Sequence, residues 1–212
     1  SIYINKIKYS VEGNQMIPDH FFLIPKFILK NKRNLKSSSG FDAISQSIES
    51  LISMRSNNTS VIFAKKSLKI SLKYFLPYLK KPSFLNSNKM LIAANLSGKA
   101  IAISKTTAPH AVSYPLTSHF GISHGDAVSI TLEDFLLFNY LNIHKSNANF
   151  NLKSRYNILF NLTKSNNIFD LIKYIKNIKT LAKTENSFNK LNLKKEILIP
   201  KVLNEVNIKR LS

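Results

Sequence analysis

Apolar residues recurring at steps of three and four are the feature that most restricts how this chain can fold. In "SSSGFDAISQSIESLIS" (37–53), Phe41, Ile44, Ile48, Leu51 and Ile52 share one stripe of a helix. The pattern resumes over 58–81 and 84–107, and an almost wholly apolar run covers 126–141. Only five glycines and seven prolines interrupt 212 residues, so helices packed on helices are the expected architecture. The serines before Phe41 are placed to cap the first helix, and Thr59 or Ser60 the second, whose end Pro77 disturbs. In the third, Ala93, Ala94, Ser97, Gly98, Ala100 and Ala102 let a neighbouring helix approach closely. Beyond Asn142 a polar tail rich in Asn and Lys carries helical stretches near 153–164, 167–181 and 193–206.

The amino end reads differently. "IYINKIKYSVE" (2–12) predicts one or two short strands, and "FFLIP" (21–25) another, stopped by Pro25. So small a β piece cannot bury a core alone. The expected division is therefore a β-rich remnant of a preceding domain at 1–35 and an all-α domain at 36–212, mainly α and bundle-like as a whole.

Composition narrows the function classes. An apolar fraction of 44% is that of a globular chain. The absence of cysteine excludes disulfides and thiolate metal sites, and suits a reducing, cytoplasmic setting. "HFFLIPKFIL" is short and broken by Pro25 and Lys26, so neither a spanning helix nor a signal peptide is expected, and a membrane is not an expected partner. A net charge of +20 fits a polyanion partner where Lys and Arg cluster. Here the lysines are spread along the chain with Asn and Ile, and Arg, the better bidentate phosphate ligand, is scarce. A biased coding composition accounts for the charge better than a nucleic-acid partner does.

Histidine is scarce as well, yet three of the five lie in "APHAVSYPLTSHFGISHGDA" (108–127). His110 and His124 are too far apart for a pair on one helix, but suitably spaced for two helix-terminal residues that converge on a third element. Asp42 and Gln46, four apart on the first helix, share a face. A carboxylate on a mostly apolar helix needs a partner. One carboxylate and two imidazoles suit a divalent metal with positions left open. A plainer reading also stands: a histidine beside proline as a structural hydrogen bonder, and Asp42 as an acid favouring a helix N-terminus.

The words around these residues resemble a known family. "GFDAISQSIES" (40–50) is similar to the first signature of the iron-containing (group III) alcohol dehydrogenases, Gly-x-Asp-Ala-x-x-His-x-Ile-Glu. "PHAVSYPLTSHFGISHGDAV" resembles their second, His-Ala-x-x-His-Pro-Leu-Gly ending in His-Gly-x-Ala, in the same order and at a matching separation. "IPDHFFLIP" and "VNIKRLS" resemble flanking segments, the latter weakly. The fold implied is the dehydroquinate synthase-like helical domain that forms the carboxyl-terminal half of such enzymes.

The resemblance implies that Asp42, His110 and His124 bind a metal, with Gln46 where the first signature has a histidine. An amide oxygen there is neutral but a harder, weaker ligand than imidazole, which favours Fe2+ ahead of Mn2+ or Zn2+. Tyr114 stands where the family carries a histidine near substrate and nicotinamide, so Tyr114 or His119 is a candidate for proton handling. "GKAIAISKTTAPHAVSYPLTSHFGISHG" also resembles the phosphonoacetaldehyde reductase subgroup, with Lys105, Thr106 and Thr107 as candidate binders of a phosphonate. The activity implied is NAD(P)H-linked reduction of a small aldehyde or oxidation of an alcohol, in a homodimer. The glycines form no phosphate-cradling cluster, so the cofactor domain is expected outside this sequence and the chain alone inactive. The alternatives are a metal-dependent synthase or lyase on the same helical fold, or a basic polyanion-binding protein without chemistry.

Overall fold

A computed structural model describes residues 2–4, 7–9 and 13–184, with positions 199, 200, 202, 204 and 206. Strands β1 (Ile2–Ile4) and β2 (Ile7–Tyr9) pair antiparallel, Tyr3 opposite Lys8, as the alternation over 2–12 predicts. Residues 21–24 are irregular and not the expected strand. Pro25 does not stop a strand but opens helix α1 (Pro25–Leu29), because its fixed φ suits the first helical position and the N–H it lacks has no helical partner there.

Among the described residues seven longer helices follow: α2 (Arg33–Ile52), α3 (Asn58–Lys80), α4 (Phe84–Ser104), α5 (Ala108–Phe120), α6 (His124–Leu141), α7 (Leu152–Thr163) and α8 (Ile168–Ala182). The helix expected over 193–206 lies largely outside the described residues. Helix α2 is central. It packs against α3, α4, α6 and α7, and α3 pairs with α4 while α5 pairs with α6. Phe41, Ile44, Ile48 and Leu51 of α2 join Leu68 and Phe75 of α3, Leu132 and Leu136 of α6, Tyr156 and Leu159 of α7, and Leu171 and Ile175 of α8 in one apolar core. A smaller cluster, Leu116, Ile122, Ala127 and Ile130, joins α5 to α6. Among the described residues no helix is long and apolar enough to cross a membrane.

The helix starts correct two sequence expectations. Serines 37–39 do not cap α2, which begins at Arg33. Within the helix Ser39 donates to the carbonyl of Leu35 (2.7 Å) and Ser37 to that of Ala182 (2.8 Å), so their hydroxyls are satisfied there. Helix α3 is capped by Asn57, whose side chain accepts from the Ser60 N–H (2.9 Å) while the Ser60 hydroxyl accepts from the Asn57 N–H (2.9 Å), a reciprocal capping box. Pro77 lies inside α3 one turn before its end.

Buried serines line the contacts of α2, α3 and α4. Ser47 and Ser67 Oγ lie 2.8 Å apart, Ser67 donates to the Ala93 carbonyl (2.7 Å), and Ser104 donates to Ser50 (2.8 Å). Small side chains that satisfy one another let the backbones come close without stranding polar groups. Gly121, at φ 67, ends α5 in the left-handed conformation that glycine adopts without strain. Gly125 then lets α6 lie directly on α2: a Cβ there would sit 2.0 Å from the Ser38 carbonyl oxygen.

Candidate metal centre

Three helix segments meet at the candidate site. Asp42 is on the third turn of α2, His110 on the first turn of α5, and His124 is the first residue of α6. The close packing at Gly125 and the hydrogen bond from Ser123 Oγ to Ser38 Oγ (2.9 Å) hold the start of α6 against α2. His110 Nε2 is 3.2 Å from Asp42 Oδ1, and His124 Nε2 is 3.9 Å from the same oxygen. The two imidazole centroids are 5.2 Å apart at 71°. One ligand atom from each of the three residues falls within 4.8 Å of the others. Asp42 and the two histidines, sixty-eight and eighty-two residues further along the chain, thus come together as the sequence spacing predicts.

The outer nitrogens fix how the rings face. His110 Nδ1 bonds Glu49 Oε1, and Glu49 Oε2 accepts both the Thr107 N–H (2.7 Å) and its hydroxyl (2.9 Å). Ser113 Oγ donates to the His110 carbonyl (2.7 Å), which leaves its lone pairs to accept from His124 Nδ1 (3.3 Å). Assigned this way, both rings carry a proton on Nδ1 and turn Nε2 toward Asp42, the arrangement that outer partners impose on metal-binding histidines. Burial alone would lower the His110 pKa, but the charges of Glu49 and Asp42 and their hydrogen bonds outweigh it and raise it to about 9. A cation on the Nε2 side, proton or metal, is what two flanking carboxylates favour. His110 is buried, whereas the His124 side chain is 35% exposed and opens the cluster toward solvent.

The remaining expected site residues divide. Gln46 is present, but its Nε2 donates to Asp42 Oδ2 (2.7 Å) and its Oε1 accepts from Ser97 (2.9 Å). The donor end faces the carboxylate, and the oxygen, which accepts from Ser97, keeps a second lone pair. Tyr114 stacks on His124, centroids 5.8 Å apart and 7° from parallel. His119 packs near Phe120 (6.3 Å) and lies nine residues past His110 on α5, about half a turn out of phase, so it faces away from the cluster. Lys105 caps α4 at φ 60, and Thr106 is buried at the α4–α5 junction. Thr107, expected among the substrate binders, is buried, and its N–H and hydroxyl both donate to Glu49. Glu49 and Ser113 were not singled out from sequence. The signal for Glu49 was available, since Asp42, Gln46 and Glu49 at i, i+4 and i+7 share one helix face.

Comparison with known proteins agrees with this geometry. The profile of the Fe-containing alcohol dehydrogenase family, C-terminal, matches residues 36–209. Phosphonoacetaldehyde reductase of Streptomyces viridochromogenes is 29% identical over 135 residues, 63% of this chain and 34% of that protein. The 1-propanol dehydrogenase PduQ of Salmonella typhimurium is 25% identical over 134 residues, 63% of this chain and 36% of that protein. Each match therefore spans about a third of the relative's length. In fold, the chain superposes on sulfoacetaldehyde reductase from Bifidobacterium kashiwanohense, solved with NAD+, with a TM-score of 0.74 at 24% identity over 88% of this chain and 47% of that one. A 1,3-propanediol oxidoreductase gives a TM-score of 0.73 at 16% identity, over 88% of this chain and 50% of that one. The chain belongs to the Fe-containing alcohol dehydrogenase family and has the helical fold of its carboxyl-terminal domain.

Proposed function

We propose that this chain is the metal-binding half of an NAD(P)H-linked aldehyde reductase or alcohol dehydrogenase. The observation that carries the reading is the convergence of Asp42, His110 and His124, with both Nε2 atoms turned toward one carboxylate oxygen. The donor set fits a divalent ion: one carboxylate and two neutral imidazoles, with room on the exposed His124 side, is a set known to hold Fe2+. A metal bound there supplies Lewis-acid polarisation of a carbonyl oxygen. Asp42 contributes the charge, and Gln46, itself held by Ser97, donates to its second oxygen and restrains its rotation. Glu49 and Ser113 hold the two rings. Tyr114, one turn on from His110 and stacked on His124, is the group this reading assigns to hold a proton beside the site. The nicotinamide would be held by a part of the enzyme corresponding to the unmatched regions of its relatives. A cytoplasmic setting suits the cysteine-free sequence.

For substrate, the reading favours a small anionic aldehyde. Two similar proteins are named as reductases of phosphonoacetaldehyde and sulfoacetaldehyde. Lys105, at the end of α4 and five residues before His110, is the cation of this chain nearest in sequence to a ligand. Losing one charge-assisted contact costs about 1.5–3 kcal/mol. In an enzyme completed with a relative's cofactor domain, Lys105→Ala should therefore lower kcat/KM for phosphonoacetaldehyde roughly ten- to a hundredfold and leave acetaldehyde nearly unchanged. Equal losses for both substrates would refute the anionic-substrate reading. The metal reading is tested by elemental analysis of the chain purified with Fe2+, beside His124→Ala: bound iron in the first and none in the second is expected, and equal iron in both would refute it.

A further inference from the structure

Glu49 is fully buried and carries more of the site's geometry than its distance from the open face suggests. Its carboxylate bridges two structures. Oε1 meets His110 Nδ1, and Oε2 takes the N–H and hydroxyl of Thr107, the N-cap residue of helix α5. All of these contacts require an acceptor at Glu49. We propose that Glu49 is a positioning residue of the metal centre, fixing the His110 tautomer and the start of α5 together so that Nε2 is the nitrogen left for metal. The inference rests on the metal-site reading above.

Replacement by glutamine exposes this dual role. If the amide oxygen stays with Thr107, its NH2 faces His110 Nδ1, which must then accept. The ring proton moves to Nε2, and an N–H points where the metal should bind. If the amide turns over, its NH2 confronts the Thr107 N–H, two donors face each other, and the start of α5 is pushed away. Glutamine matches the size of glutamate but cannot serve both sides. Thr107→Val removes one donor to the same carboxylate and leaves the His110 contact in place. It therefore separates ring positioning from the general integrity of the junction.

The test is Co2+ binding to the full 212-residue chain, read by the ion's visible ligand-field bands and by competition with a chelator. Glu49→Gln should bind Co2+ ten- to a hundredfold more weakly, the usual loss when an outer partner of a ligating histidine is removed. Thr107→Val should bind it nearly as tightly as the unaltered chain. Unchanged affinity in Glu49→Gln overturns the inference alone, and so does an equal loss in Thr107→Val. An unaltered chain that takes up no Co2+ overturns the metal-site reading and the inference with it. Should Glu49→Gln fail to fold, the unaltered Zn2+-loaded chain decides by nitrogen-15 NMR. A slowly exchanging proton on His110 Nδ1 supports the assignment, and a proton on Nε2 overturns it.

Discussion

Helix α2 turns Phe41, Ile44, Ile48 and Leu51 into the apolar core shared with α3, α6, α7 and α8, while Asp42, Gln46 and Glu49 run along a stripe that meets α4, α5 and α6. The two stripes are made to different tolerances. On the apolar side, contacts are non-directional, and a side chain of similar volume keeps most of the stability. On the polar side, each atom has an assigned partner: Asp42 Oδ2 takes the Gln46 amide, Oδ1 faces both imidazoles, and Glu49 divides its oxygens between His110 and Thr107. One rigid helix anchors the second stripe by burying the first, which is how a site with few apolar contacts is held in register.

The sharpest way to separate the stripes is Asp42→Ala. Removing this proposed ligand should weaken metal binding by more than the hundredfold typical of an outer partner, so by over ~100-fold in a Co2+ titration. The metal-free unfolding midpoint should move little by comparison. A variant that keeps its metal would end the distinction between the stripes.

Lys179→Met acts away from the site. The Lys179 ammonium is buried, bonds both oxygens of Glu133 at 2.9 Å and reaches the Ser129 carbonyl, joining α8 to α6. Stranding Glu133 should cost about 3–5 kcal/mol in denaturant unfolding. Leu171→Ala, in the middle of the apolar core, should cost about 2–5 kcal/mol. Neither should alter Co2+ affinity in the folded chain. A large affinity loss from either would show that core and site are coupled more tightly than separate stripes allow.

Gly125→Ala should move both readouts. A methyl 2.0 Å from the Ser38 carbonyl cannot be accommodated in place, so the start of α6 must move away from α2 and take His124 with it. Overpacking of this kind costs roughly 1–3 kcal/mol, and metal affinity should fall as well. An unchanged affinity would mean that His124 reaches the site without this close approach. The smallest expected effect has the opposite sign. Lys105 adopts φ 60, ψ 175, a region suited to glycine. Lys105→Gly should gain about 1 kcal/mol, strain relief exceeding the added chain entropy. A loss of stability would show that the Lys105 side chain contributes more packing than strain.

Several helices were legible from local pattern because the pattern is local. Phe41, Ile44, Ile48 and Leu51 fall three and four apart, and burial of that stripe drives the helix whatever lies opposite. Starts were less legible. Serines 37–39 look like caps, but a serine inside a helix can return its hydroxyl to the preceding turn, and the sequence does not distinguish the two uses. Pro25 reads equally as the end of a strand or the opening of a helix.

Asp42, His110 and His124 could be chosen from sequence because carboxylate and imidazole at helix ends already restrict the chemistry, and because the surrounding words match a family. Sequence alone determined the helical class and the scarcity of glycine, and it singled out Asp42, His110 and His124, whose ligand atoms the fold brings within 4.8 Å of one another. Only the tertiary structure decided that Glu49 and Ser113 hold the two rings, that Thr107 serves Glu49, and that Gln46 clasps Asp42. The reason is directional bonding across the chain. Glu49 and His110 are sixty-one residues apart, and no local periodicity records which atom of one faces which atom of the other until α2, α5 and α6 have packed.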